Sequence, residues 1–328
     1  MAPPAAESSP TTVTVVLPNY NGAELLRRFL PSVMRAAAGV EPPARVLVVD
    51  DASTDVSLQV LRDEFPQVDI LVNTRNLGFG ATANRGVEAA RSPFVLLLNT
   101  DAEPEADALG PLLERLRESP DVAAVVPKIV QVATGGTCES VVFGTFRRGL
   151  FRLERCPELC ESERPLPVLY PCGAAVMVRR DVFIKLGGFD DLFAPFYWED
   201  VDLGYRMWRN GYRVLYEPRG GVRHHHPGVI KTAHSEQRAH FMQDRNRFLF
   251  MWKNLDRSLL LRHFALLPAH VLVSALTGRG RFVSALASAL PALPRALLRR
   301  RTRGPAGLSS LEIFERARPE EGAPHGCA

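Results

Sequence analysis

The sequence predicts an α/β fold: a mostly parallel, Rossmann-like central sheet flanked by helices, with a C-terminal helical extension. Two observations predict it. Short apolar runs alternate with amphipathic helical patterns through the N-terminal half, as in strands joined by helical crossovers. Each run also leads into a polar segment, as strands of a doubly wound sheet do at their ligand-binding edge. The predicted strands cover residues 13–17, 45–49, 68–72, 94–98 and 122–126.

The regular pattern fades between residues 127 and 170, where Gly, Pro, Cys and Arg mix irregularly. We therefore predict loops that flank a site in this stretch. The pattern resumes with a predicted strand over residues 173–179, a short helix from Asp181 that ends at Gly187, and a strand over residues 212–222. After about residue 234 it becomes helical.

Composition places the chain among ordinary globular proteins. Its 328 residues are 46% hydrophobic and 23% charged, which is sufficient for one large α/β domain or two modest ones. The five cysteines are an odd number and include no Cys-x-x-Cys pair, so neither a disulfide framework nor a structural zinc site is predicted. The spacing of Cys156 and Cys160 would allow them to meet on one helical face.

The pattern divides the chain into four predicted segments. Residues 1–11 form a disordered leader that lacks the basic start and apolar run of a signal peptide, which predicts a cytoplasmic protein. Residues 12–235 form the α/β domain. Residues 236–303 form a basic helical extension, and residues 304–328 form a flexible tail.

Positive charge is concentrated in the helical extension. The net charge is +4, but residues 258–311 contain eight arginines and no acidic residue, which leaves −4 for the remainder. These arginines lie among Leu and Ala, with no window of about 20 uninterrupted apolar residues. We predict helices lying on the anionic inner face of the cell membrane. The alternative is a helical appendage whose arginines are solvated. Because aromatic stacking residues and recognition motifs are missing, nucleic acid is not a predicted partner.

Four polar strand exits outline a cleft. Pro18, Asn19 and Tyr20 follow the first strand and Asp50 and Asp51 the second. A glycine-punctuated loop with Asn76 and Gly78 follows the third, and Asn99, Thr100 and Asp101 follow the fourth. Glycine permits close backbone approach to a ligand, and a carboxylate at Asp50 can accept a hydrogen bond from the imide of uracil or thymine. Each segment alone is equally compatible with an ordinary turn or helix cap.

Two further segments carry candidate chemistry. Asp101 presents an oxygen ligand suited to Mg²⁺ or Mn²⁺, and a later triple histidine, residues 224–226, offers an imidazole as second ligand. The run Trp198-Glu199-Asp200-Val201-Asp202 begins a predicted helix, where Asp202 and Arg206 form an ordinary i,i+4 pair. Capping does not require both Glu199 and Asp200, so at least one of them is predicted to be a catalytic carboxylate.

Taken in order, these segments resemble the family-2 glycosyltransferases of the GT-A fold, particularly the bacterial rhamnosyl- and galactofuranosyl-transferase-like members. The resemblance extends from about residue 12 to residue 228. The motifs are Val-Leu-Pro-Asn-Tyr-Asn, Val-Val-Asp-Asp-x-Ser-Thr-Asp, Asn-Leu-Gly-Phe-Gly, Leu-Leu-Asn-Thr-Asp and Trp-Glu-Asp-Val-Asp-Leu. Each motif is weak alone, but the ordered set is highly specific.

The resemblance implies roles for individual residues. Asp101 is the terminal acid of the family's Asp-x-Asp metal motif, in which Asn99 replaces the first acid, and His224 is the later metal-binding histidine. Asp200 occupies the position of the general base, with Glu199 beside it. The residues implied for the nucleotide pocket are Pro18, Asn19, Tyr20, Asp50, Asp51, Asn76, Gly78, Asn84, Asn99 and Thr100. Those predicted for the acceptor site are Cys172, Gly173 and Trp198, although the segment 171–174 is equally compatible with a plain turn.

The implied activity is an inverting transfer of a sugar from a UDP- or dTDP-sugar to a hydroxyl of a glycan or polyprenyl-linked cell-envelope acceptor, with Mg²⁺ or Mn²⁺. Two alternatives stay open. A nucleotidyltransferase would need a basic loop after the first strand, yet residues 18–26 contain no Lys or Arg. A nucleotide-sugar-binding domain without catalysis would lack the metal or base residues, of which Asn99 is the one departure.

Overall fold

One sheet built largely from the predicted strands organises the chain. The computed structural model describes residues 12–225, 236–278, 280–300 and 307–319. Within these residues the ten-stranded sheet has the order β10-β12-β6-β11-β4-β1-β2-β3, with β5 beside β12 and β7 beside β6, and β8 and β9 form a separate hairpin. The strands are β1 Val13–Asn19, β2 Arg45–Asp50, β3 Asp69–Val72, β4 Phe94–Leu98, β5 Ala102–Pro104, β6 Val122–Gln131, β7 Thr137–Cys138, β8 Val142–Arg147, β9 Leu150–Arg155, β10 Leu166–Pro167, β11 Ala175–Arg179 and β12 Arg213–His224.

Helices alternate with the strands in the first half of the chain and dominate its end. They are α1 Ala23–Ala38, α2 Ser57–Glu64, α3 Phe79–Ala89, α4 Leu109–Glu118, α5 Arg180–Leu186, α6 Glu199–Arg209, α7 Glu236–Asn254, α8 Arg257–Leu276, α9 Gly280–Ala289, α10 Leu293–Leu298 and α11 Ser310–Arg316. Helix α3 packs against β1 and β2, and α4 packs against β6 and β12.

The central strands are parallel and buried, as the alternating pattern predicted. Strand β1 pairs in parallel with β2 and β4, and β2 pairs in parallel with β3. Strand β11 lies antiparallel between β4 and β6. The predicted mostly parallel α/β fold is therefore confirmed. Asn19 of β1 lies in register with Asp50 of β2, so these two strand exits are side by side at the edge of the sheet.

The stretch between residues 127 and 170 is more ordered than predicted. Strand β6 continues to Gln131, and the hairpin of β8 and β9 pairs in unbroken register from Val142 with Arg155 to Arg147 with Leu150. Phe143 and Phe151 of this hairpin are buried in the core. The prediction of loops was wrong here because the two strands of the hairpin have an irregular composition, and the helix that buries them, α7, is distant in sequence.

A disulfide also departs from the prediction. Cys138 of β7 is bonded to Cys160, which lies in a 3₁₀ turn over residues 157–161. Cys156, expected to meet Cys160 on a helical face, is buried and lies outside this bond. Pairing of β7 with β6 positions Cys138, and neither composition nor spacing indicates that pairing.

The C-terminal helices belong to the same core as the sheet, which corrects the predicted boundary at residue 235. The run from Phe248 to Trp252 in α7 is fully buried. The predicted flexible tail over residues 304–328 is wrong for residues 307–319. A capping box between Ser309 and Glu312 begins α11, and the Phe314 ring lies 5.2 Å from that of Phe151. Residues 1–11 and 320–328 lie outside the described residues.

Helix α8 is longer and more continuous than predicted, because it runs through Pro268. Among the described residues it is the one helix long and apolar enough to cross a membrane, judged by length and composition alone, and 17% of that stretch is buried. Leu261, Leu272 and Leu276 are 70%, 61% and 77% exposed. An apolar helix is normally covered by protein or by lipid, so this exposed surface needs an explanation.

Candidate active site

The exits of β1 and β2 lie side by side at the edge of the sheet. The Asp50 carboxylate is fully buried and accepts hydrogen bonds from Asn19 Nδ2 (3.0 Å), Ser53 Oγ (2.6 Å) and the Ser53 amide (2.9 Å). Asn19 is 1% exposed, and its Oδ1 has no hydrogen-bond partner in the described part of the chain. Of the acceptor atoms at these two strand exits, the Asn19 amide oxygen is therefore unused, whereas both oxygens of Asp50 accept hydrogen bonds from the protein. Pro18 and Tyr20 flank Asn19, half-buried.

Asp51 holds the glycine loop against the strand exits. One of its carboxylate oxygens accepts from Asn73 Nδ2 (2.7 Å) and the Leu77 amide (2.8 Å), and the other accepts from the Gly78 amide (2.8 Å). Gly78 has a φ of +83°, a conformation that favours glycine, and the Pro195 carbonyl would lie 3.6 Å from a Cβ there. The exposed Asn76 side chain also accepts from the Gly78 amide at 3.2 Å. The loop therefore lies beside the segment that precedes the acidic run.

Asn84 has a structural position. Its Nδ2 donates to the Phe189 carbonyl (2.9 Å), and its Oδ1 accepts from the Phe189 amide (2.8 Å). Because both polar atoms tie α3 to the turn after α5, we do not include Asn84 in the donor pocket that we propose below.

The exit of β4 is linked to Asp200 through residues 173 and 174. The Asn99 amide donates to the Ala174 carbonyl (3.0 Å), and the adjacent Gly173 amide donates to Asp200 Oδ2 (3.1 Å). Thr100 and Asp101 are buried. The loop predicted to hold the metal therefore lies beside the segment that carries the predicted base.

Asp101 and His224 are brought together from distant strands. Their Oδ1 and Nε2 atoms lie 3.3 Å apart, both side chains are buried, and the Asp101 carbonyl accepts from the His225 amide (2.9 Å). His225 Nε2 instead contacts Glu103 at 2.9 Å, and His226 lies outside the described residues. Of the histidines that the structure describes, His224 is thus the one directed at Asp101.

Glu139, which no sequence pattern singled out, contacts the other nitrogen of His224. Its Oε2 lies 3.2 Å from Nδ1. Burial opposes a charge on this imidazole, but the interactions with the Asp101 and Glu139 carboxylates outweigh burial and raise the pKa of His224 to about 9. A carboxylate on the far nitrogen of a metal-binding histidine fixes its orientation and strengthens it as a ligand.

The Asp101 and His224 pair suits a divalent cation that shares its coordination with a substrate. Across the described residues, no group of three or more His, Cys, Asp or Glu side chains is arranged to hold a metal ion. Mg²⁺ is commonly bound by one or two protein ligands, substrate phosphates and water. A buried carboxylate and a buried imidazole 3.3 Å apart fit that pattern.

The predicted base lies at the start of α6. Asp200 is half-buried and accepts hydrogen bonds from the Val201 amide (2.8 Å) and the Gly173 amide (3.1 Å). Burial raises its pKa to about 6, although both amides and Arg155 oppose the rise. A carboxylate with a pKa in this range is ionised at neutral pH and is still basic enough to accept a proton in catalysis.

Glu199 differs from its neighbour. Burial, and then the negative charge of Asp200, raise the pKa of Glu199 to about 8, and its Oε2 has no hydrogen-bond partner among the described residues. At neutral pH it is therefore mostly a neutral acid. Of the two carboxylates predicted to be catalytic, Asp200 has the protonation state of a base.

The third acid of the run is structural. Asp202 is fully buried and binds Arg206 Nε (2.7 Å), Lys253 Nζ (2.7 Å) and Asn254 Nδ2 (2.8 Å). The predicted i,i+4 pair of Asp202 and Arg206 is thus confirmed. Lys253 and Asn254 belong to α7, so the C-terminal helices fix the helix that carries Asp200.

The turn before Asp200 is held by the core. Tyr197 and Trp198 have φ values of +72° and +79°, which non-glycine residues rarely adopt. Asn246 Nδ2, buried in α7, donates to the Phe193 (2.8 Å), Phe196 (3.1 Å) and Tyr197 (2.8 Å) carbonyls. Trp198 is 7% exposed and packs on Phe250, 5.3 Å between ring centroids. The sequence predicted Trp198 for the acceptor site, whereas in the structure its indole packs in the core and anchors the turn.

Cys172 and Gly173, which the sequence predicts for the acceptor site and which we call the acceptor wall, lie next to Asp200. Both are half-buried, and a Cβ on Gly173 would lie 3.4 Å from Asp200 Oδ2. The absent side chain therefore leaves space next to the base. Burial raises the pKa of the Cys172 thiol to about 12, so this cysteine stays protonated and is a poor nucleophile.

Comparison with known proteins decides the family. The family model described as "Glycosyl transferase family 2" matches residues 14–187, more than half of the chain. The chain belongs to glycosyl transferase family 2. This glycosyltransferase is 30% identical to the N-acetylglucosaminyl-diphospho-decaprenol L-rhamnosyltransferase of Mycobacterium tuberculosis, an alignment that covers 81% of the chain and 94% of that relative. It is 33% identical to the pre-mycofactocin glycosyltransferase of the same species, over 69% of the chain and 46% of that relative.

Solved structures agree on the fold of the glycosyltransferase. S. aureus TarS 1-349 in complex with UDP-GlcNAc is similar at a TM-score of 0.57 and 18% identity, covering 87% of this chain and 83% of that one. GalNAc-T7 with UDP, GalNAc and Mn²⁺ is similar at a TM-score of 0.59 and 19% identity, covering 76% and 49%. The predicted resemblance to the GT-A glycosyltransferases is therefore confirmed.

Proposed function

We propose that this glycosyltransferase moves a sugar from a UDP- or dTDP-sugar to a hydroxyl of a polyprenyl-linked cell-envelope glycan, with inversion at the anomeric carbon. One observation supports it above the others. The buried Asp101 and His224 pair and the Asp200 carboxylate lie in segments joined by the Asn99 and Gly173 amides, which supports a leaving-group site and a base next to each other. The named function of the rhamnosyltransferase relative supports the acceptor class.

The chemistry follows from the residues around the cleft. Asp200 accepts the proton of the acceptor hydroxyl, and the hydroxyl oxygen bonds to the anomeric carbon while the bond to the diphosphate oxygen breaks. The products are the glycoside and a nucleoside diphosphate. Gly173 directs its amide at Asp200 and leaves space for the acceptor sugar. A divalent cation at Asp101 and His224 would neutralise charge on the departing diphosphate.

The donor pocket that we propose lies at the strand exits. In this proposal the Asn19 amide oxygen accepts from the imide N–H of uracil or thymine, which its burial without a hydrogen-bond partner among the described residues supports. Tyr20 and Pro18 flank it, and Asp50 and Asp51 hold the loops in place rather than being spare acceptors. Asn76, Gly78, Asn99 and Thr100 complete the pocket.

A donor panel tests the proposed function. Release of nucleoside diphosphate is measured for UDP-, dTDP- and GDP-sugars with an alkyl diphospho-N-acetylglucosamine as acceptor, in Mn²⁺, in Mg²⁺ and in EDTA. We expect turnover of one UDP- or dTDP-sugar that requires both the acceptor and the metal. Donor binding without transfer would favour a nucleotide-sugar-binding domain instead.

Activity is expected to fall on the acid side of about pH 6. Burial raises the pKa of Asp200 to about 6, so this carboxylate is protonated as the pH falls through that value and no longer accepts the hydroxyl proton. We expect kcat to fall about tenfold per pH unit below that point and to level off above it. Initial rates at saturating substrate check this. A kcat that is constant from about pH 5 to pH 7 contradicts Asp200 as the base.

We also propose that α8 attaches the enzyme to the inner face of the membrane without crossing it. His263 Nδ1 contacts the Gly149 carbonyl (2.7 Å), and His270 Nε2 contacts the Arg148 carbonyl (2.7 Å), so two turns of α8 are bonded to the β8 and β9 hairpin. This bonding supports a helix that lies along the domain. Its opposite face is apolar and exposed, with Arg257 and Arg262 at one end, a combination that suits an anionic lipid surface.

Replacing the exposed leucines Leu261, Leu272 and Leu276 by Gln is expected to weaken binding to phosphatidylglycerol vesicles by about tenfold or more, because each leucine loses its transfer into lipid. Co-sedimentation measures the change. The matched control replaces Val56, Val132 and Ile184, which are also exposed but lie elsewhere. Equal losses in both triple variants contradict the assignment of α8.

A further inference from the structure

An arginine that no motif singled out lies beside the candidate base. Arg155 is the last residue of β9, and its side chain is exposed. No hydrogen bond or ion pair joins it to another side chain in the described ranges of the chain. It differs in this from Arg206, whose guanidinium is buried and binds Asp202 at 2.7 Å.

The strand directs Arg155 toward the active site. Because side chains alternate along a strand, Phe151, Leu153 and Arg155 share one face of the hairpin. The Phe151 ring lies 5.9 Å from that of Trp198, which immediately precedes the acidic pair. After the hairpin, the Leu169 amide donates to the Val142 carbonyl (2.9 Å). Val142 is the residue of β8 that pairs with Arg155. Arg155 therefore lies at the end of the hairpin face that packs toward the turn before Asp200 and toward the acceptor wall.

Electrostatics agree with this placement. Interaction with the Tyr170 phenol, and further with Glu139, Cys172 and Asp200, raises the pKa of the Arg155 guanidinium. Arg155 in turn opposes the rise in the pKa of Asp200. The Arg155 guanidinium thus interacts electrostatically with Asp200, Cys172 and Glu139. It donates a hydrogen bond to none of these three side chains.

An exposed guanidinium beside a reaction centre suits a phosphate group. Its planar fork of N–H donors matches phosphate oxygens in a bidentate geometry. The donor diphosphate in the proposed function faces the strand exits and Asp101. Arg155 interacts with Tyr170, Cys172 and Asp200, on the side where the acceptor is expected, and also with Glu139 behind His224.

We propose that Arg155 binds the phosphate next to the acceptor sugar and so selects a diphosphate-linked acceptor over a neutral glycoside. This inference rests on the proposed function, since it concerns the acceptor of that reaction. Arg155 is a substrate-binding residue in this scheme, and Asp200 remains the base.

The test compares two acceptors that differ in charge. The full chain is assayed with an alkyl diphospho-N-acetylglucosamine and with the neutral alkyl glycoside of the same sugar, and donor Kd is measured separately. The variants are Arg155→Gln and Arg155→Lys. The matched control is Arg152→Gln, because Arg152 is exposed on the same strand but points to its other face.

For Arg155→Gln we expect the KM of the diphosphate acceptor to rise by about 10- to 100-fold, the range for losing hydrogen bonds to a charged group. The KM of the neutral glycoside and the donor Kd stay as in the wild type, as do all values for Arg152→Gln. Arg155→Lys keeps the charge and loses the fork, so its KM rises less and for the diphosphate acceptor alone. This variant decides the question if Arg155→Gln does not fold.

Equal changes for both acceptors would overturn the proposal, because they indicate a structural role. A donor Kd that weakens by the same factor would overturn it too, since the phosphate is then the donor's. A wild type that transfers well, with both Arg155 variants unchanged, removes this inference and leaves the proposed function intact. A wild type that binds donor and transfers to neither acceptor removes both.

Discussion

Asp200→Asn is expected to lower kcat by about 10²–10⁴-fold, the usual contribution of a general base, while the donor Kd stays the same. The amide cannot take the hydroxyl proton, although it is nearly isosteric with the carboxylate. Donor contacts are unaffected because Asp200 bonds only to the Val201 and Gly173 amides among the described residues. Single-turnover rates and donor titrations measure the two quantities.

The control for this variant is Asp181→Asn. Asp181 is exposed and also lies in the first turn of a helix, α5, so the change removes the same charge from an equivalent position. We expect wild-type kcat and a similar midpoint of thermal unfolding. If Asp200→Asn retains more than about a tenth of the wild-type kcat, another group is the base, and Glu199 is the next candidate.

The second large loss of activity is expected when a protein ligand of the proposed cation is removed. Asp101→Ala is expected to abolish metal-dependent turnover, because one of the two protein ligands is lost. Glu139→Gln is expected to weaken Mn²⁺ affinity by about 10- to 100-fold, since the partner that orients His224 no longer carries charge. Its kcat recovers at saturating Mn²⁺. Electron paramagnetic resonance titration of Mn²⁺ in the presence of UDP gives the affinity directly.

Glu103→Gln is the matched control, because Glu103 contacts the neighbouring His225 at 2.9 Å. We expect wild-type Mn²⁺ affinity for it. Turnover that survives EDTA, together with unchanged Mn²⁺ binding in Asp101→Ala, would remove the cation from this cleft and leave the diphosphate to be stabilised by other groups.

The local sequence pattern was sufficient to predict the strands whose ends carry the candidate site. β1, β2 and β4 are continuous apolar runs that end in polar residues, and parallel pairing brings those ends together whatever the rest of the chain does. The positions of Asn19 and Asp101 at this edge of the sheet could therefore be predicted from sequence, whereas their roles stay predictions. The sequence suggested Asp50 as the hydrogen-bond acceptor for the nucleobase. That the unused acceptor is instead the Asn19 amide oxygen follows from the hydrogen-bond network, which sequence does not specify.

Residues that act through distant pairing were missed. Glu139 meets His224, 85 residues away, only because β12 pairs with β6 and β6 with β7. Arg155 reaches the base turn through a hairpin that has irregular composition and no strong turn motif. Trp198 was predicted for the acceptor site because it precedes the acidic pair in sequence, but its ring packs on Phe250 of α7, 52 residues further along the chain.

The anomeric configuration of the product is the most direct test of the central claim that Asp200 activates the acceptor for a single displacement. Proton NMR of the glycoside formed by the wild type, from a donor of known configuration, gives the answer without reference to any variant. A single displacement with Asp200 as the base predicts an inverted anomeric carbon. A product that retains the donor configuration would contradict it and require a different role for Asp200.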